Sequence, residues 1–227
     1  MKKDKFFKEL SRKDYIIKAT EIVKNEGQKA LTIRRIANEL NCTSANLYRY
    51  FENIDELFFY SQIQYLDYYI DILTKAEKNW KDVWDMHIGI WECYSRTAFT
   101  YPQAFNTVFF SEMSKNLVGA LNEYYAIFPE HIDLVAKYLT DMLRTSDFFE
   151  RDYQMCKKCA EAGVIDPYNA IVMNRMVCML YKGYLKGILD NGIEESEIDE
   201  RVATFMRDVH MVIKNLAKDT LGHKELM

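Results

Sequence analysis

Turn-breaking residues are scarce here: 8 glycines and 3 prolines in 227 residues, against usual shares of about 7% and 5%. All-β folds depend on frequent breakers, so helices are expected nearly throughout. No unbroken apolar run reaches the roughly 20 residues that a bilayer span needs, and no membrane partner is expected. Disorder is excluded as well, because 49% of the residues are hydrophobic against 28% charged. The chain also lacks the phosphate-binding, zinc-protease, serine-hydrolase and dinucleotide fingerprints, and no histidine has a glutamate three residues before it. Catalysis is therefore the weakest of the function classes.

Cysteine usage points the same way. The five cysteines form an odd count, and the first residues lack the apolar stretch of a secretory leader. Reduced thiols and a cytoplasmic location are expected. Cys156 and Cys159 form a C-x-x-C with no second pair or neighbouring histidine in the sequence. They are expected to be ordinary helix cysteines, with no metal and no cofactor.

Charge is unevenly spread. Residues 1–57 carry 12 Lys and Arg against 9 Asp and Glu, a balance of +3; the other 170 carry 18 against 25, a balance of −7. The head is basic and the body acidic. Lys2, Lys3, Lys5, Lys8, Arg12 and Lys13 supply the excess, either as a solvated arm or as one that seeks phosphate.

Helix signals begin at Ser11, a cap, followed by Ile16, Ala19, Ile22 and Val23 at helical spacing and Gly27 as the stop. Thr32 caps a second helix with Ile33, Ile36, Ala37 and Leu40 on one face. Asn41-Cys42-Thr43 makes a three-residue turn in which Asn41 is suited to positive φ. Thr43 caps a third helix whose Leu47, Tyr50 and Phe51 point inward, leaving Ser44, Ala45, Asn46, Tyr48 and Arg49 outward. Asn53 caps a fourth. Two short helices in this arrangement, packed on a longer first one, are a helix-turn-helix, and the small Ala37 permits their close crossing.

Residues 31–51, from Leu31-Thr-Ile-Arg-Arg-Ile-Ala through the Leu47-Tyr-Arg-Tyr-Phe51 signature, with Asp55-Glu56-Leu57 after them, resemble the DNA-binding segment of the TetR family of bacterial regulators. The likeness spans roughly residues 14–58. Two positions depart from the family pattern: Asn41 stands where glycine is usual, and Ile54 where a phosphate-binding lysine often stands. The resemblance implies an all-α protein with an N-terminal helix-turn-helix domain at 1–53. A larger helical domain for effector binding and dimerisation follows at 54–227. It also implies a double-stranded operator, with repression the commoner mode.

On the exposed face of the third helix, Asn46 suits adenine, Arg49 guanine, Ser44 several base edges and Ala45 a thymine methyl. Tyr48, Thr32 and Arg34 suit phosphates, and Thr43 completes the DNA-facing set. One such helix binds weakly, so a second copy is needed in a successive major groove, which makes a palindromic operator. The last two helices offer the interface. Ile198, Val202, Phe205, Val209, Val212 and Leu216 form one apolar stripe, with Ala203, Met206, His210, Ile213 and Ala217 beside it. The preceding helix presents Met173, Met176 and Leu180, with Gly183 and Gly187 four apart. A homodimer through a four-helix bundle is expected. A single chain's wide core face is the competing reading of the same stripes.

Residues 58–153 hold 22 of the 32 aromatic residues. Trp84, His87, Trp91 and Tyr94 share one helical face, and with Tyr65, Tyr69, Phe109 and Tyr138 they are candidates to line a small-molecule pocket, a feature the family resemblance implies. Plain core packing accounts equally for such stripes, and His87 alone reads as a satisfied core histidine. A helical scaffold or a regulator controlled by a protein partner, without a closed pocket, is the alternative function. Helices are expected at 54–78, 80–99, 102–110, 112–127, 131–162, 167–190 and 195–220. The first of these bridges head and pocket, so a ligand that tilts it would change the distance between two reading heads.

Overall fold

In the computed structural model, which describes residues 10–129 and 145–218, those residues form eleven α-helices. Residues 1–9 of the basic arm, Tyr138 and residues 131–144 of the helix expected over 131–162 lie outside the described residues. Three helices make the head: α1 (Arg12–Glu26), α2 (Ile33–Glu39) and α3 (Ser44–Leu47). Each start has a local cause. Ser11 accepts from the Asp14 amide while the Asp14 carboxylate accepts from the Ser11 amide, a reciprocal cap. The Thr32 hydroxyl accepts from the Arg35 amide at 3.1 Å. Asn53 accepts from the Glu56 amide at 2.8 Å and opens α4 (Ile54–Ile63).

The body continues through α5 (Tyr65–Ala76), α6 (Val83–Thr100), α7 (Pro102–Phe110), α8 (Leu117–Ile127), α9 (Phe148–Glu161), α10 (Pro167–Asn191) and α11 (Ile198–Leu216). Pro102 and Pro167 occupy first turns, where a missing N–H costs nothing. At the centre is α6, against which α5, α9, α10 and α11 pack. Its inner face carries Trp91, Tyr94 and Phe99 into a ring cluster with Phe148, Tyr181 and Phe205. Beyond helices, the described residues hold one antiparallel bridge, Ile165 with Ala217.

One expected helix is divided, and another begins at Phe148 within its described part. The pattern from 54 to 78 is cut at Gln64 into α4 and α5. The Ser61 hydroxyl donates to the Phe58 carbonyl at 2.6 Å, the Gln64 amide donates to the Ser61 carbonyl at 3.0 Å, and the Asp67 amide bonds Gln64 at three-residue spacing. Side chains thus compete for the carbonyls that an unbroken helix would use. The stretch expected as 131–162 also starts afresh within its described part, where Asp147 accepts from the Glu150 amide at 2.8 Å and begins α9. At the far end, α11 stops at Leu216 after a 3₁₀ turn over Glu195–Glu197.

Candidate functional site

The turn between α2 and α3 is closed by backbone alone. The Cys42 amide bonds the Ala37 carbonyl at 2.9 Å and the Asn41 amide bonds the Asn38 carbonyl at 3.2 Å, the two bonds of a Schellman stop. Asn41 has φ 50°, the one positive value at a non-glycine among the described residues. Asparagine tolerates that conformation, so the turn survives without glycine. Ala37 is buried beneath it.

Four residues cannot hold themselves as a helix, so α3 is clamped from below. Leu47 is fully buried and Phe51 nearly so. The Tyr50 hydroxyl donates to the Leu10 carbonyl at 2.7 Å, and the Tyr15 ring lies 5.5 Å from Tyr50 and 6.3 Å from Phe51. With that underside fixed, Ser44, Ala45, Tyr48 and Arg49 are exposed and Asn46 is half-buried. Thr43 is exposed too, but its hydroxyl donates to the Asn46 amide oxygen instead of capping a backbone N–H. That bond orients Asn46 and leaves one lone pair and both amide protons, enough for the two-bond pairing with adenine. Near α2, Arg35 pairs with Glu26 at 2.8 Å and Glu39 at 3.0 Å, whereas exposed Arg34 has no ion pair among the described residues. Thr32 is exposed beside it, its hydroxyl serving the cap.

Head and body meet at Arg12. Its guanidinium bonds Glu56 of α4 at 3.1 Å and Glu123 of α8 at 2.9 Å, and lies 4.9 Å from the Phe51 ring centre and 4.4 Å from that of Tyr60. The Tyr60 hydroxyl also donates to Glu123. One side chain, absent from the expected site residues, therefore ties the first helix to both α4 and α8. Beside this joint an open cleft of about 510 Å³ carries Ile17, Glu21, Tyr68, Asp71 and Phe128.

In the body, the aromatic candidates separate into three places. Tyr69, Trp91 and Tyr94 line a cavity of about 30 Å³ together with Ile90, Phe148, Arg151 and Asp152. Phe109 lies under the Arg151 guanidinium, 4.4 Å from ring centre to Cζ. Trp84 and His87 stack edge to face farther along α6. Tyr65 belongs elsewhere, against Tyr68 and Tyr101.

Expected to be satisfied, His87 is fully buried with neither ring nitrogen hydrogen-bonded. Burial holds its pKa below the usual value, with nearby Asp152 acting in the opposite direction. One of its nitrogens, an Asp152 oxygen and the Cys156 sulfur lie within 4.8 Å of one another, so a histidine does sit beside the C-x-x-C in space, 69 positions away in sequence. Three donors fall one short of a closed tetrahedral set, and Asp152 already accepts from Trp91 Nε1 at 2.8 Å and Asn174 Nδ2 at 3.0 Å. The Cys156 thiol donates to Asp152 at 3.4 Å and the Cys159 thiol to the Val83 carbonyl at 3.7 Å. Burial pushes Cys159 up to about 12, so both behave as inert helix thiols.

Arg151 and Asp152 were not among the expected site residues. The signal is present in the sequence: Phe148, Asp152, Met155 and Cys159 form the apolar stripe of α9, and a carboxylate on such a stripe marks a buried polar site.

The expected interface residues also divide. Met173, Met206 and Ile213 face the chain's own core. Met176, Gly183 and Gly187 are exposed, with Leu180 and His210 half-buried. With Met179 and Met211, which are 66% and 59% exposed, Met176, Leu180, Gly183 and Gly187 flank an open groove of about 840 Å³ along α10 and α11, whereas His210 is not part of its lining. No described helix is long and apolar enough to cross a membrane.

Residues 16–60 match the family model described as bacterial regulatory proteins, tetR family. Among solved structures, a protein of unknown function from Rhodococcus sp. RHA1 is similar over 96% of this chain and 100% of its own, with TM-score 0.57 and 14% identity. SmeT, the repressor of the Stenotrophomonas maltophilia multidrug efflux pump SmeDEF, is similar over 92% of each chain, with TM-score 0.53 and 13% identity. The ketosteroid transcriptional regulator KstR2 of Mycobacterium tuberculosis is similar over 92% of this chain and 95% of its own, with TM-score 0.51 and 13% identity. No curated protein matches the sequence.

Proposed function

We propose, from the match of residues 16–60 to the tetR family model, that this chain is a DNA-binding regulator of that family, a homodimeric repressor that a small molecule releases from a palindromic operator. The observation that carries this reading is the outward face of α3: Ser44, Ala45, Tyr48 and Arg49 stand exposed on a turn whose underside is fully packed. Ser44, Ala45, Asn46 and Arg49 take base edges, while Thr32, Arg34, Thr43 and Tyr48 take the sugar-phosphate backbone.

A second copy is required because one module covers only about 600–1,000 Å² of protein surface on DNA. The methionine-flanked groove along α10 and α11 suits that role. Gly183 and Gly187 let two backbones approach, and Met176, Met179 and Met211 supply adaptable apolar area. Four helices, two from each chain, then set the heads about 34–36 Å apart.

Control passes from the body through α5 and α4. Tyr69 of α5 lines the cavity, and α4 carries Glu56 and Tyr60 to the Arg12 joint. The Gln64 break lets the two segments tilt separately. A ligand that moves the population from 99:1 to 1:99 must prefer the released state by about 10⁴-fold.

The test is selection of bound sites from random DNA at fixed salt. A palindrome with half-sites one turn apart supports the proposal, and equal weak retention of all sequences rejects it. The cavity's small volume favours a second reading, control by a protein partner. Melting-temperature screening of small molecules separates the two, since only the first predicts stabilisers.

A further inference from the structure

Arg151 is 5% exposed, on the inner face of α9. One of its nitrogens, Nη2, donates to the Thr145 carbonyl at 2.8 Å, and its plane lies over Phe109. The remaining nitrogens that matter, Nε and Nη1, are buried and make no hydrogen bond. No carboxylate pairs with it among the described residues. Adjacent Asp152 is committed to Trp91, Asn174 and the Cys156 and Cys178 thiols.

A guanidinium keeps its charge even when buried, so an unpaired one is a standing demand for an anion. The same region holds the buried hydroxyls of Tyr69, Tyr94 and Tyr181; Tyr69 has no partner, and Tyr94 and Tyr181 face each other without a well-formed hydrogen bond. Burial raises each phenol's pKa, so all three remain protonated donors. Two guanidinium nitrogens, the Tyr69 phenol and at least one phenol of the Tyr94 and Tyr181 pair thus lack an acceptor in one neighbourhood, and the rings of Trp91, Tyr94 and Phe148 wall the cavity between them.

We propose that Arg151 anchors the carboxylate of a small organic acid whose apolar part lies against these rings. This deepens the ligand-controlled reading above and rests on it. Asp152 lines the same cavity, but its charge is met by four donors of its own, so the donors left without an acceptor suit one added negative charge; a phosphate dianion would put a second uncompensated charge beside that carboxylate. Nη2 keeps a second N–H beside the one given to Thr145, so it can complete a planar two-bond edge with Nε or with Nη1, a geometry that favours a carboxylate over a spherical ion. The 30 Å³ now present admits little more than a water-sized group, room for the acid group alone. Seating the apolar part therefore displaces rings between α6 and α9, and Tyr69 carries that displacement onto α5.

The experiment uses the full chain and measures melting temperature with benzoate, phenylacetate and octanoate, with the matching amides, and with acetate and chloride. At least one of the larger acids should raise it by about 5 to 10 °C at about 100 times its Kd, while its amide and the small anions do not. Arg151→Met should abolish that rise and melt no lower than the parent chain, because an apolar side chain replaces a buried charge without a partner. Arg151→Lys keeps the charge, loses the fork, and should weaken acid binding about tenfold or more. Equal effects of acid and amide, equal effects of acetate or chloride, a rise that persists in either variant, or no response to any acid overturns the anchor. So does an Arg151→Met chain that fails to fold, since the arginine is then structural.

Operator release is read separately, by anisotropy of labelled DNA. An acid that binds through Arg151 without releasing DNA refutes ligand control and leaves the anchor standing. A neutral compound that releases DNA refutes the anchor and leaves ligand control standing.

Discussion

Replacing Arg12 by methionine removes the side chain by which α1 holds both α4 and α8 at this joint. The magnitude follows from its partners. Two ion pairs at 3.1 and 2.9 Å, with Arg12 24% exposed, Glu56 16% and Glu123 54%, contribute about 0.2–1 kcal/mol each, the Glu123 pair least. Stacking on Phe51 and Tyr60 adds about 0.5–1 kcal/mol each. Methionine retains part of the apolar packing, so the expected loss is about 2 kcal/mol. For a chain of this size that lowers the melting temperature by about 4 to 8 °C. Urea unfolding, followed by tryptophan fluorescence and by circular dichroism, measures it, and coincident curves confirm that head and body unfold together. A double-mutant cycle with Glu123→Gln should give a coupling of about 0.5–1 kcal/mol. Operator affinity should fall alike for all sequences, because the joint orients the head without reading bases. An unchanged urea midpoint, or strict additivity with Glu123→Gln, refutes the assignment of Arg12 as the joint.

Three further outcomes are expected. Arg49→Ala should relax preference at one base position, costing about 1–3 kcal/mol there, whereas Tyr48→Phe should weaken every site equally; parallel binding curves on a panel of operator variants decide. Gly187→Leu should yield monomers by light scattering that no longer hold the operator. An added Cβ at that position meets nothing within 4 Å in the chain itself, so the fold should survive, and an intact dimer would reject the groove as interface. Stability should decline as pH drops below about 6.5: the unfolded chain takes up a proton at His87 there, whereas the buried ring, held below its usual pKa, does not. Melting curves between about pH 7.5 and 5.5 should be flatter for His87→Phe, and an identical slope would remove His87 as the cause.

The head was legible in the sequence because its stops and starts are local. Ser11, Thr32 and Asn53 each accept the amide bond that their spacing announced, and Asn41 takes the positive φ that a three-residue turn requires. Local chemistry also misled once: Thr43 sits at the cap position yet spends its hydroxyl on Asn46. The division at Gln64 escaped because apolar spacing continues across it, and the cause lies in the hydroxyl and amide of Ser61 and Gln64. The centre of the body was hidden for another reason. Tyr69, Trp91 and Tyr94 were visible as ring-bearing positions, but what gives them a task is Arg151, brought there by a contact between distant helices. Periodicity says which residues turn inward and is silent on which of them meet.

The packing of α6 against α11 joins segments about 100 residues apart, whereas the bonds that seat α3, from Tyr50 to Leu10 and from Cys42 to Ala37, close within the first 50 residues. On the ribosome these finish at different moments. At about 5–20 residues per second, a nascent chain carries a completed recognition helix for roughly 8 to 30 s before the last helix emerges. On the homodimer proposed above, no second copy can dock throughout that interval, and a lone head would hold DNA only weakly.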